Sequence, residues 1–204
     1  LLEAYRPLYE RIMGDTLAVL PDTLSLGHPE SPLGNFTADA LRFRAARELR
    51  AHVHAGVIDR GSLGRWFPPG PVTRGQVHEL MPYDNTLVVL TLSGAQIGQL
   101  ARELIAQPAF PMSGLRMSVT ADTIGYVLID RSPLDPERDY LLATSSWLAA
   151  GNGPYPALWK PNAIQDTGIP LLDVFMEAFS LFRPEAAQPD QRVSVPAPRS
   201  EGTP

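Results

Sequence analysis

The sequence predicts an α+β fold, or a mixed α/β fold, in a single domain. Apolar residues recur at helical spacing in some segments and at strand spacing in others, and the two patterns alternate irregularly along the 204 residues. Hydrophobic residues make up 44% of the chain and charged residues 19%, a balance typical of a globular protein with one sizeable core. No internal repeat is visible.

The first part of the chain is predicted to contain two helices and two strands. Apolar side chains at helical spacing predict a helix over 1–12, and a short apolar run predicts a strand over 16–20. An amphipathic pattern predicts a long helix over 33–50. A strand over 53–58 follows, and a glycine-rich turn over 59–64 ends it.

Two helix starts flank the most apolar strand of the sequence. Thr73 is followed three residues later by Gln76, and Ser93 is followed by Gln96, so both pairs fit the capping-box pattern. Between them, the leucine-rich and β-branched run 86–92 predicts a strand that is buried on both faces. This part of the chain is therefore predicted to form a helix, a strand and a second helix.

An aromatic residue, Tyr83, lies at the corner between the first of these helices and the strand. Pro82 ends the helix because a proline cannot continue it, and Asp84 and Asn85 supply turn chemistry. A ring held at such a corner either fills a core or faces a ligand. The residues alone leave both possibilities open.

The rest of the chain is predicted to contain a helix, three strands and a closing helix. They lie at 94–106, 114–119, 124–129, 140–147 and from Pro170 onward, with a glycine- and proline-rich loop over 148–159. Residues 1–183 are therefore predicted to form the domain. Residues 184–204 are rich in proline and predict a poorly ordered tail, with at most a short strand at 193–195.

The composition argues against several kinds of function. A net charge of −5, without a basic stripe, argues against a nucleic acid polymer as a partner. No run is long and apolar enough to predict a membrane span. The absence of cysteine excludes a disulfide scaffold and a thiol nucleophile.

The usual catalytic patterns are not found in the sequence. His52 and His54 alternate on a predicted strand and would face the same side, but no third metal ligand lies near them in the sequence. The residue patterns of a two-metal phosphoesterase centre do not occur. The chain opens on residues that predict a helix already under way, so we expect either that a targeting segment was removed or that this is a piece of a longer chain.

Six short motifs, in this order, make the sequence resemble the C-terminal domain of the 5′-nucleotidase family. They lie at 30–42, 69–73, 81–85, 92–94, 113–116 and 148–155, and together they extend the resemblance over most of 17–182. In that family the domain is an α+β unit that follows a separate metallophosphoesterase domain. It binds the nucleoside half of the substrate and stacks the base between two aromatic rings.

The resemblance places the two stacking rings at Tyr83 and Tyr155. Judged from the residues alone, Tyr83 could cap a core and Tyr155 could anchor a proline-rich loop. Stacking of one base on one ring contributes roughly 1–3 kcal/mol and discriminates little between bases. The resemblance therefore implies a base-binding cleft without implying which base it takes.

The resemblance also implies five further substrate-binding residues: Asn35, Asp59, Arg65, Asn85 and Asn152. Two loops depart from the family pattern. Asp59 stands where the family has an asparagine, and Arg65 follows the family's arginine position by one residue. The loop that ends at Tyr155 lacks the family's aspartate. Each of these residues can also be explained as an ordinary turn or solvated residue.

The resemblance therefore implies a nucleotide-recognition domain of a metal-dependent phosphomonoester hydrolase of the 5′-nucleotidase type. It implies that this chain carries no catalytic or metal-ligating residue. The divalent metals are expected on a metallophosphoesterase domain in the same chain or in a partner chain. A periplasmic or secreted location is implied as well. The alternative is a stand-alone nucleoside-binding or interaction module without a hydrolytic role.

Overall fold

A computed structural model of the protein describes residues 5–120, 123–181 and 189–194. The helices in these ranges are α1 Arg6–Gly14, α2 Pro32–Leu49, α3 Arg74–Leu80, α4 Gly94–Ile105, α5 Ser146–Ala149 and α6 Leu171–Leu181. The strands are β1 Thr16–Leu20, β2 Ala55–Val57, β3 Gly70–Thr73, β4 Thr86–Ser93, β5 Met112–Ser113, β6 Leu115–Thr120, β7 Thr123–Ile129, β8 Ser132–Pro133, β9 Asp139–Ser145, β10 Ala163–Pro170 and β11 Val193–Ser194. Two 3₁₀ turns lie at Arg60–Ser62 and Pro156–Leu158.

Three sheets are formed by the described strands. The central sheet has the order β10-β4-β9-β2-β5, and its strands are antiparallel except for the parallel pair β2 and β9. A second sheet has the order β11-β6-β7-β8, and β1 pairs with β3 in a two-stranded ribbon. Helices packed on mixed sheets in one domain confirm the α+β prediction.

Strand β4 is buried on both faces, as the sequence predicts. Leu87 and Val89 belong to a first core, which α2 and α6 cover, whereas Val88, Leu90 and Leu92 belong to a second core beneath α4. Successive side chains of a strand point to opposite faces, so each face of β4 contributes to a different core. The central sheet is therefore the middle of three layers.

Both predicted capping boxes are confirmed. The Gln76 backbone N–H donates to Thr73 Oγ1 at 3.3 Å, and the Thr73 N–H donates to Gln76 Oε1 at 2.9 Å. Ser93 and Gln96 repeat the arrangement at the start of α4. These reciprocal bonds satisfy N–H groups that a helix start leaves without partners, which fixes where both helices begin.

The predicted and observed elements differ mostly in where they begin and end. The predicted strand over 53–58 is formed only by β2, and the predicted loop over 148–159 contains the end of α5 and a 3₁₀ turn. Strands β3 and β10 were not predicted, because prolines, glycines and polar residues in them hide the strand pattern. They pair with β1 and β4 respectively. Strands β5 and β8, each two residues long, were not predicted either.

The C-terminal prediction is tested only in part. Strand β11 pairs in parallel with β6, so a short strand does form at the predicted place. Residues 182–188 and 195–204 lie outside the described residues, and the predicted boundary at 183 and the predicted tail remain predictions. Among the described helices, none is long and apolar enough to cross a membrane.

The topology brings three chain segments to one end of the central sheet. Strands β2 and β9 are parallel, so both end at the same edge, and β4 is antiparallel to β9, so it begins there. Leu87 near the start of β4 is paired with Ser145 at the end of β9. The residues that follow β2, precede β4 and follow β9 therefore meet.

Candidate functional site

A cleft of about 280 Å³ lies at this end of the sheet, and we call it the aromatic cleft. The described residues that line it are Asp59, Gly61, Ser62, Tyr83, Asn85 and Trp147. The Tyr83 side chain is 53% exposed and the Trp147 side chain is 39% exposed. Large aromatic side chains left this open, in a concave site with few polar groups, are typical of a small-molecule site.

Asp59 holds the turn that forms one wall of the cleft. Its carboxylate accepts the Ser62 backbone N–H at 2.9 Å and the Ser62 hydroxyl at 2.5 Å, and so caps the 3₁₀ turn Arg60–Ser62. The residue is 7% exposed. A fixed, buried carboxylate that lines a cleft can still accept a hydrogen bond from a ligand hydroxyl, since each oxygen has two lone pairs.

Trp147 is held by the turn that follows it. The Asn152 backbone N–H and side-chain amide both donate to the Trp147 carbonyl, at 3.3 and 3.1 Å. Gly153 passes directly beneath the ring: a Cβ at this position would lie 2.7 Å from Trp147 Cζ3. Gly153 also has a φ of +78°, so both the space and the backbone conformation favour glycine.

The prediction that the Tyr155 ring faces the cleft is wrong. Tyr155 is 1% exposed and belongs to the second core. Gly151 and Gly153 both have positive φ and turn the chain inward, and the 3₁₀ turn that follows Tyr155 packs on α4. Burial raises the pKa of the Tyr155 phenol, and the negative charges of Asp59 and Glu103 raise it further. The residue therefore lies in the second core and is not among the described residues that line the cleft.

Trp147 is the cleft residue that sequence reasoning missed. The sequence carries no local signal for it, because its position follows from the topology above, which places any residue just after β9 beside the start of β4. The residue also follows Ser145, whose hydroxyl caps the short helix α5 by accepting the Leu148 N–H at 3.2 Å. The motif comparison pointed eight residues further along, to Tyr155.

Of the other predicted site residues, Asp59 and Asn85 line the cleft with Tyr83, whereas Asn35, Arg65 and Asn152 are not among the described residues that line it. Asn35 is buried at the start of α2 and donates to Glu30 Oε1 at 2.8 Å. Arg65 is ion-paired with Glu79. Asn152 holds the turn that follows Trp147 through its two hydrogen bonds to the Trp147 carbonyl. Arg65, predicted to bind substrate, is thus directed elsewhere.

Residues 15–160 match the family described as 5′-nucleotidase, C-terminal domain. This is well over half of the 204 residues. The chain belongs to this family. The resemblance inferred from the six motifs is thereby confirmed.

Individual relatives agree with this assignment. A solved structure of a 5′-nucleotidase precursor from Thermus thermophilus has a TM-score of 0.80 at 24% identity, over 95% of this chain and 42% of that one. The trifunctional nucleotide phosphoesterase protein YfkN of Bacillus subtilis (strain 168) is 25% identical over 72% of this chain and 11% of its own length. Protein UshA of Yersinia enterocolitica is 28% identical over 61% of this chain and 24% of its own. The chain therefore spans a quarter or less of these two curated relatives.

The structure of this 5′-nucleotidase C-terminal domain brings a carboxylate to the two histidines that the sequence leaves without one. His52 Nε2 lies 2.7 Å from Asp130 Oδ2, and the His52 and His54 rings are 4.7 Å apart. The ligand atoms of the three residues lie within 4.8 Å of one another. Two histidines and a carboxylate are a common set of metal ligands, so the group has to be tested as a metal centre.

The hydrogen bonds of His54 do not fit a metal. The Leu141 backbone N–H donates to His54 Nδ1 at 3.0 Å, so the neutral ring carries its proton on Nε2 and has no lone pair left for a cation. The Arg138 guanidinium also lies 3.4 Å from Nε2 and places a positive charge there. We therefore assign no metal to this group.

The cluster of His52, His54 and Asp130 should make the stability of the chain depend on pH. Burial lowers the pKa of His54, the neighbouring His52 and Arg138 lower it further, and Asp130 opposes them. Between the lowered pKa and the ordinary value near 6.5, the unfolded chain binds more protons than the folded one. The free energy of unfolding should therefore fall as the pH is lowered through this window.

His54→Asn provides the test. Its amide oxygen can still accept the Leu141 N–H but does not titrate, so the fall in unfolding free energy between about pH 7 and pH 5 should become smaller than in the parent. Denaturant unfolding at several pH values would measure it. An unchanged pH dependence in the variant would show that His54 is not its source.

Proposed function

We propose that the chain is the nucleotide-recognition domain of a metal-dependent phosphomonoester hydrolase of the 5′-nucleotidase type. The observation that carries the proposal is the aromatic cleft, in a chain that belongs to the 5′-nucleotidase C-terminal domain family. The catalytic metals would be held by a metallophosphoesterase domain in the same or a partner chain. The match covers 42% of the Thermus relative, so more than half of that chain lies outside it.

The base would stack between Tyr83 and Trp147, in place of the Tyr83 and Tyr155 pair that the motifs imply. Support comes from their exposure, 53% and 39%, and from their positions on the wall of one cleft. Each contact would contribute roughly 1–3 kcal/mol. The Asp59 carboxylate and the Asn85 side chain would hydrogen-bond the ribose or the base edge.

The proposed setting follows the relatives. The substrates would be nucleotides or nucleosides, and the location would be periplasmic or secreted. The name of the Thermus relative, a 5′-nucleotidase precursor, supports a processed and exported protein. An oligonucleotide is not proposed as a partner.

Adenosine should bind the isolated chain weakly, with a dissociation constant of about a millimolar or above, because two stacking contacts of roughly 1–3 kcal/mol each are largely cancelled by the ligand's lost freedom of at least roughly 4 kcal/mol. NMR titration should shift the backbone amides of the aromatic cleft. Tyr83→Ala and Trp147→Ala should each weaken binding by about fivefold or more. Adenosine 5′-phosphate should bind there no more tightly, because no arginine is among the described residues that line the cleft.

Trp66→Ala is the matched control. Trp66 is 56% exposed but lines a different cleft with Arg65, so the variant should bind adenosine like the parent. Amide shifts that survive both Tyr83→Ala and Trp147→Ala would place the ligand elsewhere and contradict the proposal. Equal weakening in all three variants would indicate a general surface effect.

A further inference from the structure

A second cleft, of about 370 Å³, lies beside the start of β2, whereas the aromatic cleft follows the end of that strand. We call it the arginine cleft. Its described lining residues are Asp39, Arg42, Ser113, Gly114, Leu115, Arg116, Asp130, Arg131, Asp190 and Arg192. Four arginines and three aspartates meet here, and which of them already have partners decides what the cleft can bind.

The first two aspartates are satisfied by two of the arginines. The Arg192 guanidinium donates to both oxygens of Asp39, at 3.0 and 2.7 Å, and to Asp190 at 2.8 Å. Arg116 donates to the other oxygen of Asp190 at 2.8 Å. Charge-assisted, forked bonds of this kind are strong and well oriented. Arg192 is 8% exposed, so this network forms a fixed wall.

The third aspartate faces a histidine. Asp130 Oδ2 lies 2.7 Å from His52 Nε2. Arg42 and Arg131 form no ion pair with any residue in the described ranges, so two guanidinium groups of the cleft remain available. The lining as a whole carries one more positive than negative side chain.

The backbone fixes where both of these arginines lie. Helix α2 passes so close to β2 that a Cβ on Gly56 would lie 2.6 Å from the Ala38 carbonyl oxygen and 3.3 Å from Arg42 Cβ. Only a glycine permits this approach, which presses the turn carrying Arg42 against the sheet. Arg131 lies in the tight turn after β7, where it has a φ of +64°.

Ser113 supplies an independent sign of a ligand. It is fully buried in β5 and lines the cleft, yet its Oγ has no hydrogen-bond partner within residues 5–120, 123–181 and 189–194. Buried hydroxyls are almost always paired, since an unpaired one is unfavourable. A hydroxyl donor that lines the same cleft as two guanidinium groups without an ion pair in the described ranges matches the needs of an oxyanion.

We propose that the arginine cleft binds a small oxyanion, a phosphate or carboxylate group, between Arg42, Arg131 and the Ser113 hydroxyl. Guanidinium groups pair with both kinds of oxyanion in the same forked geometry, so the chemistry is shared. The site is separate from the aromatic cleft, and it does not depend on the function proposed above.

The test is an NMR titration of the chain with inorganic phosphate and, separately, with glutarate, at low ionic strength because salt screens such contacts. Saturable shifts are expected at the amides of Ser113, Gly114 and Arg131. Arg42→Ala and Arg131→Ala should each weaken binding by about tenfold or more, as for other charge-assisted bonds. Saturation by phosphate alone or by glutarate alone would identify which oxyanion the site takes.

Two controls separate the site from a general charge effect. Arg47→Ala removes a charge from the same helix, but Arg47 pairs with Glu177, so phosphate affinity should not change. Ser113→Ala should weaken binding severalfold without lowering the melting temperature of the free protein, because its hydroxyl has no partner to lose. No saturable shift with either anion, or equal affinity in the parent and both arginine variants, would overturn the proposal.

Discussion

Tyr155→Ala is expected to lower the free energy of unfolding by roughly 3–5 kcal/mol, the usual loss for a large aromatic residue removed from a core. Tyr155 is 1% exposed and is the largest fully buried side chain among the described residues. Its removal would leave a cavity in the second core, beneath the turn that carries Trp147. Because a domain is commonly stable by only about 5–15 kcal/mol, a substantial fraction of the stability would be lost.

Tyr155→Phe is the control for the ring itself. The substitution keeps the volume and should change the free energy of unfolding by only about 1 kcal/mol. Adenosine affinity should stay at the parent value, because the ring does not face the cleft. A loss of adenosine affinity in a Tyr155→Phe variant of normal stability, or a Tyr155→Ala variant as stable as the parent, would contradict the buried placement. Denaturant unfolding and the adenosine titration measure the two outcomes.

Gly153→Ala is expected to produce the next largest effect. It should lower both the stability of the chain and its affinity for adenosine. A non-glycine residue at a φ of +78° is unfavourable by about 1–2 kcal/mol. The added methyl group would also lie 2.7 Å from the Trp147 ring and 2.8 Å from Leu148 Cδ2, so the ring must move. We expect a loss of stability of more than about 2 kcal/mol and weaker adenosine binding.

Gly168→Ala separates the two causes. Gly168 has a similar φ of +68°, but a Cβ there would meet no atom within 4 Å. This variant should show only the backbone effect, about 1–2 kcal/mol, and should bind adenosine like the parent. Equal stability loss and equal affinity in the two variants would mean that Gly153 does not determine the position of Trp147.

Much of the fold could be predicted because its signals are local. The Thr73 and Ser93 caps depend on residues three positions apart, and the burial of β4 on both faces follows from its continuous apolar run. Strand β10 has no such signal: its residues are largely exposed, and it is extended because it pairs with β4. The extended conformation of β10 is therefore caused by its pairing partner β4, which is distant in the sequence.

The site was harder to predict than the fold because it depends on the path of one loop. Tyr83, Asp59 and Asn85 were predicted from the motifs and do line one cleft, since they adjoin strand ends. Tyr155 was predicted to join them, but two positive φ angles at Gly151 and Gly153 direct it into the core and leave Trp147 outside. Motif spacing does not encode that turn. The pairing of His52 with Asp130, 78 residues away, is likewise set by topology alone.

The most direct test of the proposed site is an NMR measurement of magnetisation transfer between bound adenosine and the aromatic protons of the chain. Stacking between two rings predicts contacts from adenosine H2 and H8 to the Tyr83 ring and to the Trp147 indole, and none to Tyr155. The indole contacts should be absent in Trp147→Ala, where the contacts to Tyr83 should weaken with the affinity, and both sets should persist in Trp66→Ala. Contacts to neither Tyr83 nor Trp147, or contacts to the Tyr155 ring, would contradict base recognition by the aromatic cleft.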